Sequence, residues 1–227
     1  MKSSTIRTIF FDLDGTIVDS EAKAVNVVQR IMPNYLGRTL TGVELRNFKG
    51  VPWLGAFREM LPGREYEIYE ECLKEWDRIP TKLNVYSGIV EEIKHLNRMG
   101  FTLGIVSSKE SRYIHMDLED FSISDYFSVV IGSDDTLRHK PNPDPLIEAA
   151  RRINRNPADC IYIGDQPTDM SAARMAGMRC GGALWGDGEY EYLKDSAPDF
   201  MFKDPADITE NLIGLSESRA GSSQDNY

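Results

Sequence analysis

The sequence is poor in cysteine and contains no long apolar run, and both shortages limit the kind of protein it encodes. Its three cysteines, Cys72, Cys160 and Cys180, stand far apart among 227 residues and form no Cys-x-x-Cys pair. A disulfide framework or a cysteine-ligated zinc site is therefore not expected, and the reducing cytoplasm is the default location. The first apolar run ends at Phe11, where Asp12 follows, and no later run is long enough to span a bilayer. We therefore expect a soluble, cytoplasmic protein with no membrane partner.

Basic residues are also scarce relative to acidic ones. The chain has 26 lysines and arginines against 36 aspartates and glutamates, a net charge of −10, and no basic run. Nucleic acid polymers and anionic membranes both require concentrated positive charge, so neither is expected as a partner. An acidic protein can still bind a small phosphorylated molecule, because one metal ion and one lysine can neutralise the charge of the phosphate. The length suits one large domain, or one domain that carries a smaller insertion.

Two aspartates follow the first apolar run, and the rest of the sequence is interpreted around them. Residues 8–11 (Thr-Ile-Phe-Phe) are typical of a short buried strand, and Asp12, Asp14 and Gly15 come after them. Residues two apart on a strand share a face, so both carboxylates should leave the strand end in the same direction. Such a pair repels unless a cation, a shared proton or full solvation relieves it. An isolated Asp-x-Asp is more often an acidic turn, but three later segments favour a metal-assisted site here.

Each of those later segments places reactive side chains after an apolar run that predicts a strand. In an open parallel sheet, ligands bind beyond the carboxyl ends of the strands, so these side chains should meet. The hydroxyls of Ser107 and Ser108, before a predicted helix, suit either a phosphate seat or a plain helix cap. Lys140 stands on a stem stiffened by proline (KPNPDP), and Asp165 and Asp169 follow the apolar run IYIG. Each segment taken alone is weak evidence, but the ordered set of four indicates one site.

The pattern of helices and strands predicts an α/β fold. From about Tyr86 onward helix and strand signals alternate, which implies a Rossmann-like parallel sheet with helices on both faces. Residues 19–83 are helical throughout and come after the first strand, so they are interpreted as an inserted, small all-helical cap domain. The catalytic core is predicted to be residues 1–18 and 84–215. Residues 216–227 are small and polar without periodicity and are predicted to be disordered.

Several local features are predicted within the cap. Ser20 should cap a helix that the segment 32–34 (Met-Pro-Asn) ends. Tyr66, Tyr69 and Trp76 share one stripe of a later helix and are expected to lie in the cap core.

Charged residues and hinges of the cap bear on substrate access. Arg46, Lys49 and Lys82 are possible anion contacts, although each is more often a solvated charge. Hinges near residues 18–20 and 84–87 would let the cap open, and its closing would exclude water from the chemistry. The specificity of the protein is therefore expected to come from the cap.

The four segments together resemble the haloacid dehalogenase-like superfamily. The matching stretches are FFDLDGTIVDSE, IVSSK, KPNPDP and GDQPTDMSAARMAG, in that family's order and with a helical cap between the first two. The resemblance extends from about residue 6 to residue 214. The phosphoglycolate phosphatase-like and beta-phosphoglucomutase-like branch is the most similar, and the stretch GALWG (residues 182–186) is similar to its phosphatases.

The resemblance implies chemical roles for the two aspartates of the first segment and for a metal ion. Asp12 would attack phosphorus and become a transient aspartyl-phosphate, and Asp14 would protonate the leaving oxygen and then activate water. Mg²⁺ would be held by the Asp12 carboxylate, the Asp14 backbone carbonyl and Asp165. Dehalogenases lack the aspartate two residues after the nucleophile, so Asp14 argues against dehalogenation.

The resemblance also implies binding and supporting residues. Ser107, with Ser108 beside it, would contact the phosphoryl oxygens, and Lys140 would neutralise both the nucleophile and the phosphoryl group. Asp169 would orient Lys140 or a metal-bound water, and Thr16 is placed with it as a supporting residue.

These roles imply a magnesium-dependent phosphatase that hydrolyses a small phosphorylated metabolite, phosphoglycolate-like or a sugar phosphate. One alternative is a phosphomutase of the beta-phosphoglucomutase type. Another is a non-catalytic protein that binds a phosphometabolite, which is disfavoured because Asp12, Asp14, Lys140 and Asp165 are all present. The sequence leaves the substrate open and is compatible with a monomer or a homodimer.

Overall fold

A computed structural model describes residues 6–48, 51–80 and 82–220, and a parallel β-sheet forms its centre. The strands of the described chain are β1 (Thr8–Phe11), β2 (Val18–Asp19), β3 (Asn84–Val85), β4 (Thr102–Val106), β5 (Phe127–Ile131), β6 (Cys160–Gly164), β7 (Arg179–Ala183) and β8 (Phe200–Phe202). The main sheet has the order β5-β4-β1-β6-β7-β8, and neighbouring strands in it pair in parallel. The central strands β1 and β6 are buried along their whole length, as expected when both faces are covered.

Helices cover both faces of this sheet. The described helices are α1 (Glu21–Leu36), α2 (Gly42–Arg46), α3 (Trp53–Met60), α4 (Glu65–Arg78), α5 (Ile89–Arg98), α6 (Ser111–Asp120), α7 (Asp144–Arg152), α8 (Pro167–Met175), α9 (Tyr190–Asp195) and α10 (Asp207–Ala220). Alternate residues of β1 point to opposite faces. Ile9 and Phe11 therefore lie in a hydrophobic cluster with α5, α6 and α10, whereas Phe10 lies in one with α7 and α8. The predicted Rossmann-like α/β fold is confirmed.

Helices α1 to α4 pack around a hydrophobic cluster of their own, which we call the cap cluster. Its buried members include Val27, Met32, Phe57, Ile68 and Cys72. This separate core agrees with an inserted helical cap, whose boundaries at residues 19 and 83 stay a prediction.

The chain segments that lead into and out of these helices lie side by side. Val18 pairs with Val85 and Asp19 with Asn84, which joins β2 and β3 in a short antiparallel ribbon. Both strands fall within the segments predicted as hinges. Two residues are too few to show a strand pattern in a sequence, so the ribbon was not predicted. Hinge motion itself stays a prediction.

The predicted end of α1 is wrong. The helix continues through Pro33 to Leu36 and ends at Gly37, whose N–H bonds the Pro33 carbonyl. Proline removes one backbone donor, and packing of α1 against the cap cluster offsets that loss in its last turn. Ser20 does stand at the N-cap position, but its side chain makes no cap hydrogen bond.

Other predictions are corrected or only partly supported. Tyr66 is 64% exposed and so is not part of the cap core, whereas Tyr69 and Trp76 pack partly against the cap cluster. The helix α10 extends to Ala220, into the segment predicted to be disordered. Residues 221–227 lie outside the described part of the chain. The three cysteines are free and buried, and no described helix is both long and apolar enough to cross a bilayer.

Candidate active site

The carboxyl ends of adjacent strands bring the predicted residues together. β1 lies between β4 and β6, and Asp12, Ser107 and Asp165 directly follow these three strands. They therefore converge at one edge of the sheet. All three line a cavity of ≈ 450 Å³, whose other walls include residues of α1, α3 and α4. Lys140 enters from the loop between β5 and α7.

A buried lysine joins Asp12 to Asp169. The Lys140 ammonium lies 2.9 Å from Asp12 Oδ2 and 2.6 Å from Asp169 Oδ1. It also donates a hydrogen bond of 2.9 Å to the Tyr162 hydroxyl, which in turn donates to the Val106 carbonyl at 2.7 Å. The side chains of Asp12, Lys140, Tyr162 and Asp169 are all buried. The ammonium is thus fixed against Asp12, and Asp169 stands where it can orient the lysine.

Burial and neighbouring charges shift the pKa values of Asp12, Asp165 and Lys140. Burial raises the pKa of Asp12 to about 7, although the nearby Lys140 acts to lower it and Asp169 adds to the rise. Burial also raises the pKa of Asp165 well above its ordinary value, with Asp169 and Asp12 contributing. For Lys140, burial acts to lower the pKa, but the charges of Asp12 and Asp169 outweigh it and raise the pKa. The lysine is therefore charged at neutral pH.

Three carboxylates at this edge form a group that fits a divalent cation. One oxygen from each of Asp12, Asp165 and Asp169 lies within 4.8 Å of the others, and all three residues are buried. Lys140 supplies one positive charge to three acids, so a cation would relieve the repulsion among these carboxylates. Carboxylate oxygens are the ligands that Mg²⁺ prefers. Two of the predicted ligands, Asp12 and Asp165, belong to this group, and Asp14 does not contribute its carboxylate.

The loop after β1 supports Asp165. Thr16 Oγ1 donates to Asp165 Oδ1 at 3.0 Å, and Gln166 Nε2 donates to Asp165 Oδ2 at 2.5 Å. Gly15 has a φ of +82°, and a Cβ at this position would collide with the Asp165 carboxylate. The close approach of this loop to Asp165 therefore requires glycine at position 15.

Two residues that sequence reasoning missed hold Asp14. The Ser20 hydroxyl donates to Asp14 Oδ1 at 2.5 Å, and the Lys109 ammonium lies 2.7 Å from the same oxygen. Lys109 also lies 2.7 Å from Asp117 on α6. Both contacts use the Oδ1 atom of Asp14. The one sequence signal for Lys109 is its place directly after Ser107 and Ser108, whereas the sequence indicates Ser20 only as a helix cap.

A loop after β7 makes hydrogen bonds to the backbone of the loop that carries Asp14. Trp185 Nε1 donates to the Thr16 carbonyl at 2.8 Å, and the Asp187 N–H donates to the Gly15 carbonyl at 3.1 Å. The Tyr86 hydroxyl, next to β3, donates to Asp187 Oδ1 at 3.0 Å. The segment 185–187 thus links the loop that carries Asp14 to the ribbon that leads into the cap.

The predicted phosphate contacts also lie at the cavity. Ser107 is buried, its Oγ accepts from the Lys109 N–H at 3.3 Å, and both Ser107 and Ser108 line the cavity. Their contact with phosphate stays a prediction.

The predicted cap cations fall in different places. Lys82 lines the same cavity and is exposed. Arg46 lines a smaller cleft beside Asp165. Lys49 lies outside the described residues.

Comparison with known proteins decides the family. The family described as haloacid dehalogenase-like hydrolase matches residues 9–183, which is well over half of the chain. The chain belongs to the haloacid dehalogenase-like hydrolase family. The matched range runs from β1 to β7 and contains all four segments that carry the site, so the predicted resemblance is confirmed.

Proteins similar to this hydrolase match it over almost its whole length. Pyrophosphatase PpaX of Listeria innocua is 31% identical over 89% of this chain and 94% of its own length. A predicted phosphoglycolate phosphatase of Haemophilus somnus has a TM-score of 0.76 at 22% identity, covering 90% of this chain and 97% of that one. The beta-phosphoglucomutase of Clostridium difficile has a TM-score of 0.79 at 20% identity, covering 92% of this chain and 99% of that one. At these identities the two solved structures show a shared fold.

Proposed function

We propose that this hydrolase is a Mg²⁺-dependent phosphatase that hydrolyses a small phosphorylated metabolite through an aspartyl-phosphate. The observation that carries the proposal is the buried Asp12 carboxylate, which lies 2.9 Å from the Lys140 ammonium and within a cluster of three acids. Phosphoryl transfer requires mainly a positioned nucleophile and neutralisation of charge. The names of the similar proteins, a pyrophosphatase and a phosphoglycolate phosphatase, support the same reaction class.

In the first half of the reaction, an Asp12 oxygen attacks phosphorus and the P–O bond to the leaving group breaks. Asp14 gives its proton to the leaving oxygen. In the second half, Asp14 takes a proton from the water that attacks the phosphorus of the aspartyl-phosphate. Inorganic phosphate leaves and the Asp12 carboxylate is restored.

The surrounding residues control charge and position. Lys140 offsets the negative charge of Asp12 and of the phosphoryl oxygens, and Ser107 and Ser108 donate hydrogen bonds to those oxygens. Mg²⁺ held by Asp12 and Asp165 would reduce the repulsion between carboxylate and phosphate.

The nucleophile is tested by Asp12→Asn. We expect the variant to lose at least about 10³-fold in the hydrolysis of p-nitrophenyl phosphate with Mg²⁺, because an amide does not attack phosphorus. The assay is release of nitrophenolate, and a melting curve checks that the variant is folded. Asp125→Asn, an exposed position away from the site, is the matched control. Full activity of folded Asp12→Asn would refute the assignment.

The phosphomutase alternative is separated by product analysis. A mutase converts glucose 1-phosphate into glucose 6-phosphate, whereas a phosphatase releases inorganic phosphate. We expect phosphate release without glucose 6-phosphate, measured with a coupled dehydrogenase assay.

A further inference from the structure

The part of the cavity wall that the cap contributes is largely apolar. It includes Phe48, Trp53, Leu54, Leu73 and Trp76. At ≈ 450 Å³ the cavity falls within the range of about 300–1,000 Å³ that is usual for sites of organic ligands. Pyrophosphate and phosphoglycolate are far smaller and have little or no apolar surface. They would leave this wall without a partner, whereas an apolar leaving group would cover it and gain free energy from burial.

The charge of the cavity disfavours a second anionic group on the substrate. Beyond Asp12, Asp14 and Asp165, the lining contains six further carboxylates: Glu21, Asp77, Glu110, Asp117, Asp120 and Asp187. Like charges brought together in a partly enclosed site repel strongly. A carboxylate or second phosphate on the leaving group would therefore meet repulsion that an uncharged group avoids.

Lysines in the lining do not reverse this balance. Lys109 is ion-paired with Asp14 and Asp117. The Lys23 ammonium lies over the ring of Trp76, 4.5 Å from its centroid. Lys82 is exposed, as are the carboxylates of Asp77 and Asp120, so water screens the charges of all three.

Two hydroxyl groups of the lining are engaged within the protein. The Tyr69 hydroxyl donates to Glu110 at 2.6 Å, and the Ser20 hydroxyl donates to Asp14. A sugar recognised through either of these hydroxyls would have to replace the hydrogen bond that it already makes. An apolar group that packs against the apolar wall does not have to replace any hydrogen bond.

We propose that the substrate, given the phosphatase activity proposed above, is a phosphate monoester of an uncharged alcohol whose apolar body packs against Trp53, Leu54 and Leu73. Attack by Asp12 breaks the bond between phosphorus and the ester oxygen, and the alcohol leaves with the proton from Asp14. The apolar wall acts on the leaving group alone and so sets specificity without altering the reacting atoms.

The substrate class is tested with four compounds and the full-length protein in Mg²⁺. They are benzyl phosphate, glucose 6-phosphate, 2-phosphoglycolate and pyrophosphate, and release of inorganic phosphate is measured for each. The first three are esters of primary alcohols, so differences in leaving-group chemistry are small. We expect kcat/KM for benzyl phosphate to exceed that of each of the others by at least about tenfold.

A second measurement changes the wall itself. Leu73 and Leu54 line the cavity but are not members of the cap cluster, so their replacement should leave the cap folded. Leu73→Lys, and independently Leu54→Lys, should reduce kcat/KM for benzyl phosphate by about tenfold and raise it for 2-phosphoglycolate. Met175→Lys, 62% exposed at the end of α8, is the matched control and should change neither value.

The outcomes separate this inference from the function on which it rests. If none of the four compounds releases phosphate, the proposed phosphatase activity fails, and this inference with it. If phosphate is released but glucose 6-phosphate, 2-phosphoglycolate or pyrophosphate matches benzyl phosphate, the phosphatase stands and the apolar substrate class is overturned. The apolar substrate class would also be overturned if Leu73→Lys and Leu54→Lys were both folded and kept the wild-type order of kcat/KM among the four compounds.

Discussion

At the scale of single residues, Lys140 connects Asp12, the proposed nucleophile, to the rest of the candidate site. Its ammonium contacts Asp12, Asp169 and Tyr162 and is almost fully buried. A buried charge is stable only when an opposite charge or a hydrogen bond compensates for its lost hydration. Here the Lys140 ammonium and the carboxylates of Asp12 and Asp169 compensate one another. Lys140 therefore bears on both the stability and the chemistry of the protein.

Removing this ammonium should be costly. In Lys140→Met, the buried carboxylates of Asp12 and Asp169 lose their counter-ion, so we expect the free energy of unfolding to fall by about 3–5 kcal/mol. Phosphatase activity should be lost as well. Denaturant unfolding measures the first effect, and the double variant Asp12→Asn/Lys140→Met should recover part of the stability. Equal stability of wild type and Lys140→Met would contradict the contacts described.

The carboxylate cluster predicts how stability depends on pH and metal. Burial raises the pKa of Asp12 from its ordinary value of 3.8 to about 7. Between pH 3.8 and pH 7 the folded protein therefore binds more protons than the unfolded chain. The free energy of unfolding of metal-free protein should therefore decrease as pH rises through that window. The proposed Mg²⁺ would bind the ionised carboxylates, so it should stabilise the protein more at pH 8 than at pH 5.

Melting curves at both pH values, in EDTA and in excess Mg²⁺, measure this dependence. Protein with Asp165→Asn serves as the comparison, because it removes one candidate ligand. The same metal effect at pH 5 and pH 8 would contradict the prediction.

At the scale of elements, the segment 185–187 after β7 holds the loop that carries Asp14. Its contacts reach the carbonyls of Gly15 and Thr16, and Tyr86 bonds Asp187 from the other side. The loop that carries Asp14 is thus fixed by a segment that is distant in the sequence.

Gly186 makes this approach possible. A Cβ at position 186 would overlap the Gly15 carbonyl oxygen, so Gly186→Ala must push the two loops apart. We expect kcat to fall by about tenfold or more, since small displacements of catalytic groups are costly. Gly55→Ala in α3 is the control, because nothing lies within 4 Å of its Cβ. Wild-type kinetics of Gly186→Ala would show that the contact does not position the loop.

At the scale of the whole molecule, the candidate site lies in a cavity between the sheet and the helices α1 to α4. Tyr69 of α4 donates to Glu110 beside α6 at 2.6 Å, and the Lys109 ammonium lies 5.7 Å from the centroid of Trp76. These contacts span the cavity from the cap side to the sheet side. They should favour the arrangement in which substrate is enclosed.

We expect Tyr69→Phe to loosen that arrangement. It removes one hydrogen bond to a charged acceptor, so KM should rise about three- to tenfold. Tyr66→Phe on the same helix is the matched control, because Tyr66 is 64% exposed. Steady-state kinetics with the best substrate give KM and kcat. A KM that is unchanged in Tyr69→Phe would mean that this bond does not contribute to enclosure.

The sequence predicts the sheet and most of the site for a local reason. Buried strands of a parallel sheet are continuous apolar runs, and the residues directly after them stand at its carboxyl edge. The sequence alone therefore predicts that Asp12, Ser107 and Asp165 lie near one another, and Lys140 with them. The helix α1 shows the limit of such local rules: a proline inside a helix usually ends it, but α1 continues through Pro33 to Leu36.

The sequence by itself determined which strands form, where they end and which acids stand at those ends, because these features depend on residues close together in the chain. Only the tertiary structure decided that Ser20 and Lys109 hold Asp14, that Tyr66 faces solvent and that the cap presents an apolar wall. Side-chain direction and packing depend on segments distant in the chain, and no local pattern records them.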